Sequence, residues 1–217
     1  MPTPLLPYRA GYAFVRPNGS KAGTEDVEVR AGADGWRIQT RIQTAWPEDI
    51  VASVDWDLDR DLVTRLLHIV SRERFTGESE LELTVTGNGL LAHRQAPDGP
   101  TQVELGWGPN AELDYISAAF PTVMLARSGL EPGATRHVDA VQIGTVDLVP
   151  TIVAQLLRAV APYDPDGAAP AAGAETAQRV ECLVIETGHL AAATATAEGV
   201  LVGYAGLLRL TSLEASK

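Results

Sequence analysis

The residues of this chain that could do chemistry are few and scattered. Its four histidines, His68, His93, His137 and His189, stand far apart, and none has a second His, Cys or carboxylate at metal-ligand spacing on a recognisable element. The single cysteine, Cys182, can form neither a C-x-x-C pair nor an internal disulfide. It sits in RVECLVIET with Val180 and Val184 on the same strand face, the setting of a buried, inert thiol. There is no Gly-x-Ser-x-Gly elbow and no glycine loop of the kind that cradles phosphate. The run VDWDLDRD places Asp55, Asp57, Asp59 and Asp61 at spacing two. Without a glycine-containing loop, such a run is a solvated strand face rather than a calcium site. These patterns imply no metal and no cofactor. An enzymatic reading requires a pair assembled in space, such as His93 with Asp114 in a hydrolase or isomerase.

Composition narrows the partners. The 217 residues suffice for one domain with a sizeable core. A formal net charge of −11 disfavours nucleic acid and anionic membrane surfaces, both of which need clustered Lys and Arg. No stretch approaches the roughly 20 apolar residues of a membrane span, so stable membrane insertion is not expected. The opening MPTPLLPYRAG is too short and proline-rich for a secretion signal. With one cysteine, a reducing cytoplasm fits best.

The elements that would position a site are strands. GWRIQTRIQTAW, IVASVDWDL, ELELTVT and TQVELGW all alternate apolar and polar residues, the mark of half-buried antiparallel strands. Turn signals separate them at Pro17-Asn18-Gly19, Gly87-Asn88-Gly89 and Pro97-Asp98-Gly99. Two segments, 61–75 and 149–160, fit helix and strand about equally, with Asp61 and Pro150 placed where helices could begin. PYDPDGAAPAAGAET (162–176) has the composition of a mobile surface loop within the domain. TVTGNGLLAH and TATAEGVLVG share Thr84/Thr194, Thr86/Thr196, Gly89/Gly199 and Leu91/Leu201, which fits either chance likeness between two hairpins or two related sheets that wrap on each other.

One stretch breaks the strand rhythm. ELDYISAAFPTVMLAR (112–127) opens as a strand, yet its Phe120-Pro121 pair suits neither a regular strand nor a helix interior. This stretch resembles the glycolipid-binding family of small bacterial proteins, through Asp114, Phe120 and Arg127 at matching spacing. GVLVGYAGLLR resembles that family's closing strand through Gly199, Tyr204, Gly206 and Arg209. Thr64-Arg65 adds a fainter likeness and favours strand over helix in 61–75. The chain departs from the family pattern at Ala118-Ala119, Ser128, Thr196 and Ala205.

The resemblance implies a mainly β protein, a spiral β-roll of two curved antiparallel sheets, with a short helical crossover near 116–128 and a single domain over 1–217. Phe120, Met124 and Leu125 would plug the interior. Arg127 would meet a carboxylate, Asp114 being the expected one, or an anionic head group. The function implied is non-enzymatic binding of an apolar or amphiphilic ligand, a lipid or glycolipid, within or at the mouth of the roll. Trp36, Trp56, Trp107, Asp114, Tyr115, Phe120, Arg127 and Tyr204 form the expected ligand site; each tryptophan could instead simply fill the core. A third reading is an interaction module that forms a homodimer through an exposed strand edge.

Overall fold

The computed structural model describes residues 5–87, 89–160, 178–196, 199–204 and 206–215. The expected loop over 162–176 and the turn residue Asn88 lie outside these. The first half of the chain forms β1 (Tyr8–Val15), β2 (Lys21–Ala31), β3 (Gly35–Ala45), β4 (Asp49–Asp59), β5 (Thr64–Glu73), β6 (Gly77–Thr86), β7 (Gly89–Gln95) and β8 (Thr101–Gly106). The second half begins with β9 (Ala111–Asp114) and one helix, α1 (Ala119–Ser128). It continues with β10 (Thr135–Ile143), β11 (Pro150–Val160), β12 (Gln178–Val184), β13 (His189–Ala195), β14 (Leu201–Tyr204) and β15 (Leu208–Ala215).

All fifteen strands belong to one hydrogen-bonded sheet, ordered β8-β7-β6-β5-β4-β3-β2-β1-β15-β14-β13-β12-β11-β10-β9. The two sheets expected from the repeat are therefore two halves of one ribbon, joined where β1 pairs antiparallel with β15. The repeat itself marks two hairpins, β6–β7 and β13–β14. Every pairing is antiparallel except β9 with β10.

Alternation decides which way side chains point. In β4, Ile50, Ala52, Val54, Trp56 and Leu58 are buried, the face read from the sequence. The ambiguous 61–75 and 149–160 segments are strands, because each has a partner on both sides to complete its ladder. Asp61 does not cap a helix. Its N–H and that of Val63 donate to the Asp59 carboxylate, and Leu62 takes a positive φ of 61° in the resulting turn. TQVELGW departs from expectation: β8 is exposed along nearly its whole length, with Val103 43% exposed. It is an edge strand, with Leu105 and Trp107 packed at the core margin.

The ribbon coils past itself. In β10, Val138 and Ala140 are buried on one face, and Val141 and Ile143 on the other. The inner face of the first half lies over the outer side of the β10–β11 turn. There Ser71 Oγ donates to the Thr145 carbonyl at 3.0 Å, and Arg94 Nε donates to that of Asp147. Leu113, Val141 and Ile143 accordingly share one core with Leu67, Leu83 and Leu90. A roll with overlapping ends results, in place of a closed cylinder.

Close approach of neighbouring strands makes one glycine essential. A Cβ on Gly35, at φ +154°, would stand 2.0 Å from the Leu58 carbonyl oxygen in β4. Gly35→Ala is expected to lower stability by about 2–3 kcal/mol in urea denaturation. Gly108→Ala, with nothing within 4 Å, is expected to stay within about 0.5 kcal/mol of the parent.

Candidate functional site

The interior of the roll is organised by α1, AFPTVMLARS. Eight successive residues, Ala119 to Ala126, are buried, so the helix is apolar on every side and belongs inside rather than on the surface. Pro121 lies in the first turn, where its missing N–H costs no intrahelical bond. Ser117 Oγ accepts from the Ala119 N–H at 3.1 Å, Thr122 Oγ1 donates to the Ala118 carbonyl at 2.8 Å, and Gly129 ends the helix at φ 52°. Phe120 stacks on Trp56 of β4 with ring centroids 4.6 Å apart, and Tyr115 meets Phe120 edge-on at 5.7 Å. The Trp56 indole N–H donates to Thr64 Oγ1 at 3.1 Å. Phe120, Met124 and Leu125 thus plug the roll as expected.

A carboxylate from the sheet holds the start of this helix. In KAGTEDVEVRA, Glu25 shares the inward face with Val27 and Val29 and is fully buried. It accepts from the Ser117 hydroxyl at 2.5 Å and from the Ala118 N–H at 2.9 Å. A negative group here answers the partial positive charge of a helix start that has no acidic residue of its own. Register places Tyr12 opposite Glu25 and Thr40 opposite Val27. Tyr8, Tyr12 and Thr40 are buried too; Tyr8 faces Tyr12 and Thr122, and Thr40 faces Glu25, but none of these hydroxyls reaches a partner at full hydrogen-bond geometry among the described residues. Burial pushes Glu25 up to about 7 against the pull of its bonds to Ser117 and Ala118, and Tyr8 up to about 12. No ion pair reaches Glu25 among the described residues.

The other end of α1 has a compensated charge. Arg127 pairs with Glu112 at 2.9 Å and donates to the Ala111 carbonyl at 3.0 Å. The expected partner, Asp114, is displaced by Glu112 because α1 runs back along β9, which brings its last turn to the strand's beginning. Burial raises the Glu112 pKa, with Arg127 and Arg136 pulling the other way.

Asp114 belongs to a separate cluster at the β9 edge. It faces the Gln155 and Gln142 side chains, its pKa is raised by burial, and it raises that of Tyr204. Cys182 donates to Gln155 Oε1 at 3.0 Å, and burial pushes its thiol up to about 12, the inert state expected. His93 does not join Asp114. It sits exposed on β7 opposite Glu82 and Gln102, on the outward-facing side.

Of the expected site residues, only Trp56, Tyr115 and Phe120 form one group. Tyr204 is half-buried near Asp114, Arg127 sits at the far end of α1, and Trp36 and Trp107 are half-buried at the core margin. Asp55 and Asp57 point outward and pair with Arg37. Sequence reasoning missed Glu25, Tyr8, Tyr12, Thr40 and Ser117. The available signal was Glu25 itself, a charge in line with two valines of an alternating strand. On the outer surface, a hollow of about 600 Å³ over Gly11 is walled by Arg9, Asp26, Gln39 and Arg41. Its polar walls without aromatics do not suit an apolar ligand.

No protein-family model matches the chain, and no curated protein does. Its structure is similar to that of a DUF1089-family protein from Pseudomonas aeruginosa, with TM-score 0.53 and 19% identity over 84% of this chain and 90% of that one. It is also similar to a beta-barrel-like protein of the domain of unknown function DUF1849 from Brucella abortus. There the TM-score is 0.60, with 14% identity over 99% of this chain and 100% of that one. At such identities the likeness establishes a β-rich, barrel-like fold alone. No helix among the described residues is long and apolar enough to cross a membrane.

Two outcomes follow from the charges around α1. Arg127→Met strands the buried Glu112 carboxylate and is expected to cost about 3–5 kcal/mol in urea denaturation. Combining it with Glu112→Leu is expected to recover more than half. The second outcome concerns pH. Between the ordinary 4.5 and about 7, an unfolded Glu25 ionises while the folded one keeps its proton. The contribution of Glu25 to stability is therefore fully present below 4.5 and is lost as pH rises through about 7. The urea midpoint is expected to be lower at pH 8 than at pH 5, and Glu25→Gln to reduce that difference.

Proposed function

We propose that this protein binds an amphiphilic small molecule, of lipid or glycolipid type, without catalysing a reaction on it. The observation that carries the reading is the two-sided character of the interior around α1. On one side stands an aromatic wall of Trp56, Phe120 and Tyr115. Against it lie Glu25 and the hydroxyls of Tyr8, Tyr12 and Thr40, which reach no partner at full hydrogen-bond geometry among the described residues. Anchoring α1 accounts for Glu25, but not for three incompletely bonded hydroxyls buried around it. An apolar tail against Trp56 and Tyr115, with a polar end at Glu25, uses both sides at once.

Three further points support it. The motif residues Asp114, Phe120 and Arg127 resemble those of the glycolipid-binding family, and Phe120 lies at the centre of the aromatic wall. Helix α1 occupies the middle of the roll and is tied by polar contacts at its two ends, an arrangement that lets an entering chain shift it as a plug. The hydrolase reading loses its proposed pair, since His93 and Asp114 face different surroundings.

Purified protein mixed with dodecyl-chain amphiphiles should bind at least one class, read by native mass spectrometry and by a shift in tryptophan emission as Trp56 changes neighbours. At a hundredfold excess over Kd the thermal midpoint should rise by about 5–10 °C. A panel in which no amphiphile stabilises the protein, with no lipid co-purifying, would remove this reading.

A further inference from the structure

The polar side of the interior has a definite chemical demand. Tyr8, Tyr12 and Thr40 are 3%, 1% and 3% exposed, and none of the three hydroxyls reaches a partner at full hydrogen-bond geometry among the described residues, although Tyr8 faces Tyr12 and Thr122 and Thr40 faces Glu25. They gather on one carboxylate. Tyr8 and Tyr12 both feel the charge of Glu25, and Thr40 lies at its flank. Each Glu25 oxygen accepts one bond, Oε1 from Ser117 and Oε2 from the Ala118 N–H, which leaves lone pairs to spare. Buried hydroxyls left unpaired are rare in folded proteins and point to a group that completes them.

Such a group must do two things at once. It must accept from the two tyrosine hydroxyls and donate to a spare lone pair of Glu25, with Thr40 facing the same carboxylate. An alkylammonium head donates but cannot accept. A carboxylate head accepts but cannot donate, and either a carboxylate or a phosphate would place a negative charge against Glu25 with no ion-pair partner there among the described residues; Glu112, by contrast, has Arg127 beside it. A hydroxyl does both, and it satisfies Glu25 in either protonation state.

We propose that Glu25, Tyr8, Tyr12 and Thr40 form a binding site for one uncharged hydroxyl group, supplied by a water molecule in the unliganded protein and by the head of an amphiphile in the complex. The second half rests on the amphiphile-binding reading above; the first stands without it. The helix start is part of the site, because Ser117 and Ala118 fix the carboxylate that the hydroxyl would bond. A ligand bearing a neutral hydroxylated head would therefore be read at the point where α1 is anchored.

The test has two arms. In the first, a high-resolution crystal structure of the ligand-free protein should show an ordered water about 2.6–3.2 Å from the Tyr12 hydroxyl and a Glu25 oxygen. Tyr12→Phe should then lower the denaturation midpoint, since it removes a partner of that water. Absence of the water, together with a raised midpoint in Tyr12→Phe, would overturn the site, because the hydroxyl would then be an unrelieved burden. In the second arm, dodecanol, monolauroylglycerol, laurate and dodecylammonium are compared at pH 6. The two hydroxyl-bearing ligands should bind at least tenfold tighter than the charged ones, and Tyr12→Phe should reduce that preference to under threefold. Equal or tighter binding of laurate or dodecylammonium would overturn the head-group assignment while leaving amphiphile binding intact. If no chain binds, amphiphile binding fails, and the crystal and midpoint results decide the water site alone.

Discussion

The bond between Glu25 and the start of α1 is the contact on which the interior depends. A helix that is apolar all round can sit in the middle of a roll, but nothing apolar fixes its rotation or its height. Two bonds from one strand carboxylate do, reaching Ser117 and Ala118 across more than ninety residues of chain. With the helix start fixed, Phe120 is aimed at Trp56 and the last turn arrives where Arg127 meets Glu112. The cost is a carboxylate sealed from water, which shows in how reluctantly it ionises.

The two ends of the helix handle buried charge differently. At Glu112 the compensation is a guanidinium, which pulls against the same burial penalty, and removing either partner is severe. At Glu25 the compensation is neutral: an alcohol, an amide and hydroxyls nearby. An ion pair serves only as a lock. A carboxylate among hydroxyls can exchange protons and partners, which is why the amphiphile-binding reading centres there and not on Arg127.

Much of the fold could be read from the residues, and the reason is periodicity. Alternation in IVASVDWDL names the buried face of β4 residue by residue, and the Phe120-Pro121 break marks where strand gives way to helix. What could not be read is non-local. That β1 pairs with β15, turning two sheets into one ribbon, leaves no trace in either strand's pattern. The exposure of β8 also depends on its place at the sheet edge rather than on its own alternation. The site was harder still. Phe120 and Trp56 stand out by type, whereas Glu25, which holds the helix start, is one more acidic residue in an acidic chain, marked as inward only by its position among Val27 and Val29. Arg127 was matched to the wrong acid because the direction of α1 relative to β9 sets which end of the strand it reaches.

The pairing of β1 with β15 also bears on how the protein is made. Tyr8 lies opposite Ala215, so the seam of the ribbon joins residues at the two extremes of the described chain. During synthesis, the eight strands of the first half can zip into a meander, but the free edge of β1 has no neighbour until β15 emerges from the ribosome. Until then the faces destined to wrap α1 stay open to solvent. Closure is a late event that waits for β15.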